Sequence, residues 1–150
     1  MRALPNVLRG QVDDARIALK VCFVAVPLIA GLDKFFNLLT DWSHYLSPTA
    51  VSVLPVAPQT AMYVVGVIEI VVGLFMLSRW TAEASLVVTA WLALIALNLV
   101  AAGFYDIAVR DVVMAVGAYT LACLTAAHET AARSDAALQR IDQPASVRAA

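Results

Sequence analysis

Apolar residues are concentrated in four long segments, which polar or proline-containing stretches separate. The apolar segments cover residues 17–32, 61–77, 84–102 and 107–127. Each is close to the roughly 20 residues that a helix needs to cross the hydrocarbon core of a bilayer. None shows the alternating pattern of a membrane β-strand. The pattern predicts an all-α integral membrane protein with four transmembrane helices.

The connections between these segments predict how the helices are arranged. Residues 78–83 and 103–106 are short links, which favour antiparallel neighbours. Residues 33–60 hold several aromatic and proline residues, which predicts an outer interfacial loop with a short amphipathic helix. We therefore expect one membrane domain over residues 1–150, an antiparallel four-helix bundle. The polar tail, residues 128–150, should continue the last helix for a turn or two.

Composition excludes several other classes of protein. Hydrophobic residues make up 62% of the chain and charged residues 14%, with a mean hydropathy of +0.83. A chain of 150 residues cannot hide that apolar excess in an aqueous core, so a soluble enzyme and a disordered chain are both excluded. The net charge of −1 offers no field for binding nucleic acid.

The distribution of basic residues predicts the orientation in the membrane. With the amino terminus in the cytoplasm, only Lys34 and Arg110 among the ten basic residues lie on the opposite side. We expect a multi-pass protein of the bacterial inner, cytoplasmic membrane with both termini cytoplasmic. Residues 33–60 then face outward.

Glu69 is the most unusual polar residue, because it lies at the centre of the second apolar segment. A carboxylate at that depth costs roughly 2.5 kcal/mol or more, so it should face other helices and have a partner. Gly66 and Gly73 share its helix face and would let a neighbouring helix approach closely. Glu69 is either a proton-carrying or ligand-binding group, or a structural residue that fixes helix packing.

Further polar residues lie near the outer ends of the segments. Asp106 and Arg110 are four residues apart, which suits an ion pair on one helix face, and Arg110 can also reach toward Glu69 or Asp33. We expect a polar funnel that opens outward, or ordinary side chains that snorkel to the interface. The candidate ligand or proton residues are Asp33, Lys34, Glu69, Asn98, Asp106, Arg110 and Asp111.

Cys22 and Cys123 lie at similar depth in the first and last segments. They are either a redox pair or buried small hydrophobes, whose thiols an apolar setting makes unreactive. The cysteines and histidines have no metal-binding spacing, so no metal is expected, and no nucleotide-binding or hydrolase motif occurs. The tryptophans are expected to be interfacial anchors or packing residues; they are Trp42, Trp80 and Trp91.

Residues 15–127 resemble the DoxX-like family of small four-helix bacterial membrane proteins. The resemblance rests on three motifs, Gly31-x-x-Lys34-Phe35, Gly66-x-x-Glu69-x-x-x-Gly73 and Asp106-x-x-x-Arg110-Asp111. It implies a bundle located near redox partners, since some members are associated with sulfur or quinone oxidation and others with assemblies that handle oxidative stress. It brings no established catalytic residue and no covalent cofactor; a quinone or a lipid is the ligand that it allows.

Two functions of different classes follow. The first is an accessory or assembly subunit of a larger membrane redox or respiratory-type complex, with no catalytic activity of its own. The second is a quinone-linked redox protein, or a protein that handles protons or a small solute through a Glu69–Arg110 cluster. In both, the partners are the lipid bilayer and other membrane subunits or further copies of the chain, and nucleic acid is not among them.

Overall fold

The computed structural model describes residues 6–142, and the regular structure in that range is entirely helical. The elements are α1 (Asn6–Asp33), a 3-10 helix (Trp42–Tyr45), α2 (Pro48–Val53), α3 (Pro58–Phe75), α4 (Thr81–Ala102) and α5 (Tyr105–Asp142). Helices α1, α3, α4 and α5 are long and apolar enough to cross a membrane. This confirms an all-α protein with four candidate membrane spans.

The helix ends follow from local sequence. Pro48 and Pro58 open α2 and α3, where the missing N–H of proline removes no helical hydrogen bond. Gly103 closes α4 in the left-handed conformation, with φ 85°. The N–H groups of Gly103 and Phe104 then donate back to the carbonyls of Val100 and Leu99, which satisfies the end of the helix.

The first and last helices extend well beyond the apolar segments that predicted them. Helix α1 begins at Asn6 rather than near residue 17, and α5 continues to Asp142 rather than for one or two turns past residue 127. The alanine-rich sequence of the tail favours this longer helix, because alanine has the highest helix propensity. Arg2 and Arg148, two of the basic residues that predicted the orientation, lie outside the described residues.

The two extensions contact each other through charged side chains. The Nδ1 atom of His128 lies 2.8 Å from a carboxylate oxygen of Asp13, and Arg9 lies 3.5 Å from Asp135. These side chains are 40–55% exposed, and exposed pairs of this kind contribute at most about 1 kcal/mol each. The extensions are therefore aligned by these pairs but not strongly held by them.

The most extensive helix contacts are α4 on α5 and α1 on α3, and α1 also packs on α5. All four long helices contribute to one apolar core, in which the side chains of Met76 and Leu121 are fully inaccessible. We call this cluster the apolar plug; its members are Phe23, Met76, Ala84, Val88, Ala118 and Leu121. It lies nearer the end of the protein at which α1 begins and α5 ends, which we call the termini end.

The segment between α1 and α3 folds over the opposite end, which we call the loop end. Asn98 of α4 holds it with two hydrogen bonds: its side-chain oxygen accepts from the N–H of Ser47 at 3.0 Å, and its amide nitrogen donates to the carbonyl of Tyr45 at 2.8 Å. The ring of Tyr45 packs edge-on against Phe104, with 5.0 Å between the ring centroids. These contacts fix the 3-10 helix against the loop end of the long helices.

Candidate functional site

A buried ion pair joins the end of α1 to the middle of α3. The ammonium of Lys34, the residue after α1 ends, lies 2.6 Å from a carboxylate oxygen of Glu69. The two side chains are 4% and 9% exposed, so protein atoms cover both charges. The ammonium also lies 3.4 Å from the carbonyl of Ala30. Glu69 thus faces other helices and has a partner, as its depth in an apolar segment predicts.

Two glycines bring the helices of this pair together. A Cβ atom on Gly31 would lie 2.7 Å from the carbonyl oxygen of Gly66, and a Cβ on Gly66 would lie 2.7 Å from that of Gly31. No side chain fits at such distances, so the two backbones meet directly. Two turns along α3 from Gly66, a Cβ on Gly73 would lie 2.9 Å from the side chain of Leu28 in α1. The close approach of α1 and α3 is what brings Lys34 within reach of Glu69.

Asp111 of α5 adds a second carboxylate to the pair. Asp111 is 8% exposed. Its carboxylate is repelled by Glu69 and attracted by Lys34. Lys34, Glu69 and Asp111 therefore form one group, which we call the charge cluster. The cluster contains two acidic groups, one each from α3 and α5, and one basic group from the residue that follows α1.

The indole of Trp91 borders the cluster from α4. Its N–H group is buried and lies near the Glu69 carboxylate, although the geometry falls short of a regular hydrogen bond. A buried N–H group without a full acceptor is uncommon, since buried donors are nearly always satisfied. Trp91 therefore gives the Glu69 carboxylate a weak donor and an aromatic wall.

Trp42 covers the cluster at the loop end. Its ring lies over the Lys34 ammonium, with 3.8 Å between the nitrogen and the ring centroid. Its indole N–H donates to Asp33 at 2.8 Å, and Asp33 also accepts from the backbone N–H groups of Leu38 and Leu39. Asp33 thus orders the turn after α1 and fixes the position of the Trp42 ring.

Asp41 caps the 3-10 helix that carries Trp42. Its carboxylate accepts hydrogen bonds from the hydroxyl and the N–H of Ser43 at 2.6 and 3.1 Å. The hydroxyl bond, followed by the backbone bond, holds the pKa of the Asp41 carboxyl below its usual value. The carboxyl therefore stays ionised, and the cap stays formed, throughout the neutral range.

The remaining predicted site residues lie elsewhere. Asp106 and Arg110 are both exposed and share no ion pair within residues 6–142, and Arg110 does not reach Glu69. Asn98 binds the backbone of the loop segment instead of the charged residues. Lys34, Glu69 and Asp111 come together. Asp33 is linked to this group through Trp42, whose N–H it accepts and whose ring covers Lys34.

Cys22 and Cys123 are both free and both exposed on the outside of the helices. They form no disulfide with each other, and neither belongs to the charge cluster. Among residues 6–142, no three histidine, cysteine, aspartate or glutamate side chains converge as a metal site requires. The carboxylates and the ammonium of the charge cluster are groups that can bind and release protons.

Sequence reasoning missed the roles of Trp42 and Trp91. Each is one of three tryptophans in an apolar chain, and the sequence contains no signal that separates them from interfacial anchors. Trp80, the third, fits the expected role, since it is 46% exposed beside Arg79.

No family model, no curated protein and no solved structure matches the chain. Membership of the DoxX-like family therefore stays a prediction from the three motifs.

Proposed function

We propose that this is a small multi-pass protein of the bacterial cytoplasmic membrane that binds and releases one proton at the charge cluster. In this proposal the four long helices form an antiparallel bundle, both termini are cytoplasmic, and the loop end faces outward. The observation that carries the proposal is the position of Asp111 beside an already paired Lys34 and Glu69.

The charge balance of the cluster explains why a proton should bind. One ammonium neutralises one carboxylate, so a second ionised carboxylate would leave a net negative charge among apolar side chains. An unpaired charge buried at that depth is costly, and binding one proton removes it. The proton passes from water to a carboxylate oxygen of Glu69 or Asp111, and the cluster becomes neutral. The two carboxyl groups share this proton, so the site belongs to the pair rather than to either residue.

A purely structural role for the cluster would need fewer groups. The Lys34–Glu69 pair alone would fix the packing of α1 on α3, because both residues belong to that contact. Asp111 comes from α5 and brings a negative charge that this pair does not require. The extra acid supports proton exchange over packing alone.

Counting protons tests the proposal. Purified protein in detergent is moved from about pH 8 to about pH 5.5, a range in which exposed aspartates stay ionised, and uptake is measured with an indicator dye. Wild type should bind about one proton more per chain than either Asp111→Asn or Glu69→Gln, since each variant leaves one carboxylate for one ammonium. Asp106→Asn is the matched control, because Asp106 is exposed on the same helix as Asp111, and it should match wild type.

Lys34→Met provides an independent check of the same charge balance. Without the ammonium, both carboxylates need a proton for neutrality. At about pH 5.5 the variant should therefore hold about one proton more per chain than wild type. Equal uptake by wild type, Asp111→Asn and Glu69→Gln would overturn the proposal and leave the cluster with a structural role.

A second candidate function is that of an accessory subunit in a larger membrane redox complex. It is favoured by an apolar surface on the loop segment, outside the four candidate spans. Phe36, Leu38, Leu39 and Val53 are 66–84% exposed there. A neighbouring membrane subunit could cover this surface, and the redox character of such a partner rests on the family resemblance alone. Extraction in mild detergent, followed by native electrophoresis and mass spectrometry, should reveal a co-migrating partner; migration as a lone homo-oligomer would contradict this candidate.

A further inference from the structure

We propose that Trp42 is a lid on the charge cluster, with Asp33 as its latch, so that the cluster exchanges protons only with the side of the membrane that the loop end faces. This inference rests on the proposed function and adds the route and the side of proton access.

The first support is the way in which the loop end is closed. The Trp42 ring lies directly over the Lys34 ammonium, 3.8 Å from its centroid, and Lys34 is the member of the cluster nearest the loop. A water molecule that approached from the loop would meet this ring before it met the charges. The ring replaces the lost hydration with a cation–π contact, which stabilises the closed state.

The second support is that the lid is held by a side chain and not by bulk packing. The hydrogen bond from the indole N–H to Asp33 is 2.8 Å long, and the Trp42 residue itself is only partly buried. Besides this bond and the cation–π contact, the ring has an edge-on contact with Tyr45, 6.5 Å between centroids, and all three partners lie at the loop end, so the ring can move without disturbing the helix core. Rotation of Trp42 away from Lys34 would therefore open the cluster while α1 and α3 stay packed.

The third support is that the termini end is closed by a different and more permanent structure. The apolar plug lies between the cluster and that end: Met76 is seven residues beyond Glu69, and Ala118 is seven beyond Asp111, roughly 10 Å in each helix. Met76, Ala118 and Leu121 have no accessible surface. The fully buried Ser85 hydroxyl beside Met76 donates to the Thr81 carbonyl of its own helix at 2.7 Å, so it is already satisfied within α4. A close-packed and mainly apolar layer of this kind opposes the passage of a proton.

The chain contains only two lysines, Lys20 and Lys34, which makes access to the cluster measurable. In a Lys20→Arg background, a membrane-impermeant amine-reactive ester can modify only Lys34 and the amino terminus. Peptide mass spectrometry separates these two products. Right-side-out and inside-out membrane vesicles present the loop end and the termini end in turn, provided that the orientation is as proposed.

Removal of the lid should expose Lys34 from one side. With reagent on the loop side, Trp42→Ala should label Lys34 about tenfold faster than the parent, the factor that a cation–π contact of ordinary strength represents. Trp42→Phe keeps a ring but loses the bond to Asp33, and it should label at an intermediate rate, as should Asp33→Asn. Trp80→Ala, which removes an exposed tryptophan at the termini end, should match the parent. Reagent on the termini side should leave Lys34 unlabelled in all of these variants.

The outcomes separate the lid from the proton function. Unchanged labelling in both Trp42→Ala and Trp42→Phe would overturn the lid, and equal labelling from both sides would overturn the one-sided route. Neither result would change the number of protons that the cluster binds, so the proposed function would stand. Conversely, faster one-sided labelling without a proton difference between wild type and Asp111→Asn would keep the lid and reject the proton function. Trp42→Phe guards against misfolding of the alanine variant, because it preserves most of the ring.

Discussion

The Lys34 ammonium and the Glu69 carboxylate meet at 2.6 Å, and they do so because Gly31 and Gly66 let the helix backbones touch one helical turn away. The ion pair and the glycine contact therefore belong to one structural unit. The ion pair depends on the glycine contact, because side chains at the glycines would separate the helices and leave both charges unpaired.

Breaking the ion pair from one side should destabilise the protein more than removing it altogether. Lys34→Met leaves the buried Glu69 carboxylate without its ammonium, at a cost of about 3–5 kcal/mol for the charge. Glu69→Gln removes the 2.6 Å contact and leaves the ammonium only its longer-range attraction to Asp111, so its loss of stability should be smaller. The double variant removes both, so its loss of stability should be smaller than the sum of the two single losses. Equilibrium unfolding in mixed micelles measures the cycle, and strict additivity would show that the two residues do not interact.

The glycine contact should be intolerant of one added methyl group. Gly66→Ala places a Cβ 2.7 Å from the Gly31 carbonyl oxygen, a backbone atom that can move only with its helix, and should cost about 1–3 kcal/mol. Gly10→Ala is the matched control, since nothing lies within 4 Å of its added Cβ. It should leave stability unchanged or raise it by up to about 1 kcal/mol, because alanine favours helix. Equal effects of the two substitutions on the unfolding free energy would argue against the close approach.

Asn98 should control the order of the loop segment and leave the proton count unaffected. Asn98→Ala removes the acceptor for Ser47 N–H and the donor to the Tyr45 carbonyl. Each lost hydrogen bond costs about 0.5–1.5 kcal/mol, so amide exchange at residues 43–47 should become faster by about tenfold. Gln59→Ala, which removes two longer contacts at 3.3 and 3.4 Å, should have a smaller effect. Unchanged exchange in Asn98→Ala would mean that the aromatic contacts alone hold the loop.

The two cysteines should have no part in proton exchange. Both are exposed on the outside of the helices and remote in sequence from the charge cluster. The double variant Cys22→Ala/Cys123→Ala should therefore bind as many protons as wild type in the indicator assay. Loss of the cluster's proton in this variant would revive the hypothesis of a thiol pair.

The sequence predicted the spans and Glu69 for a simple physical reason. A carboxylate in a run of apolar residues stands out, and lipid forces it toward other helices. The partner was harder to predict. Arg110 shares a helix with Asp111, and a step of one residue turns a helix by about 100°, so only one of them can face the cluster. Because α5 is apolar on nearly every side in this region, its sequence does not show which face packs inward.

The aromatic residues around the cluster were also beyond sequence reasoning. Trp42 reaches Lys34 only because Asp33 accepts its indole N–H and orders the turn between them. A contact of this kind depends on the path of an irregular segment, which no periodic pattern records. The length of α5 was underestimated for a different reason: the polar composition of the tail suggested fraying, whereas its many alanines favour a longer helix.

The most direct test of the central claim is the infrared band of a protonated carboxyl group. Difference spectra of purified wild-type protein between about pH 8 and about pH 5.5 should show one buried carboxylic acid that forms on acidification. The same band should be absent from both Glu69→Gln and Asp111→Asn, because in each of these variants one ammonium balances one carboxylate. It should be present in Asp106→Asn, which leaves the cluster unchanged. A band that persists in both Glu69→Gln and Asp111→Asn would contradict a shared proton at the Lys34–Glu69–Asp111 cluster.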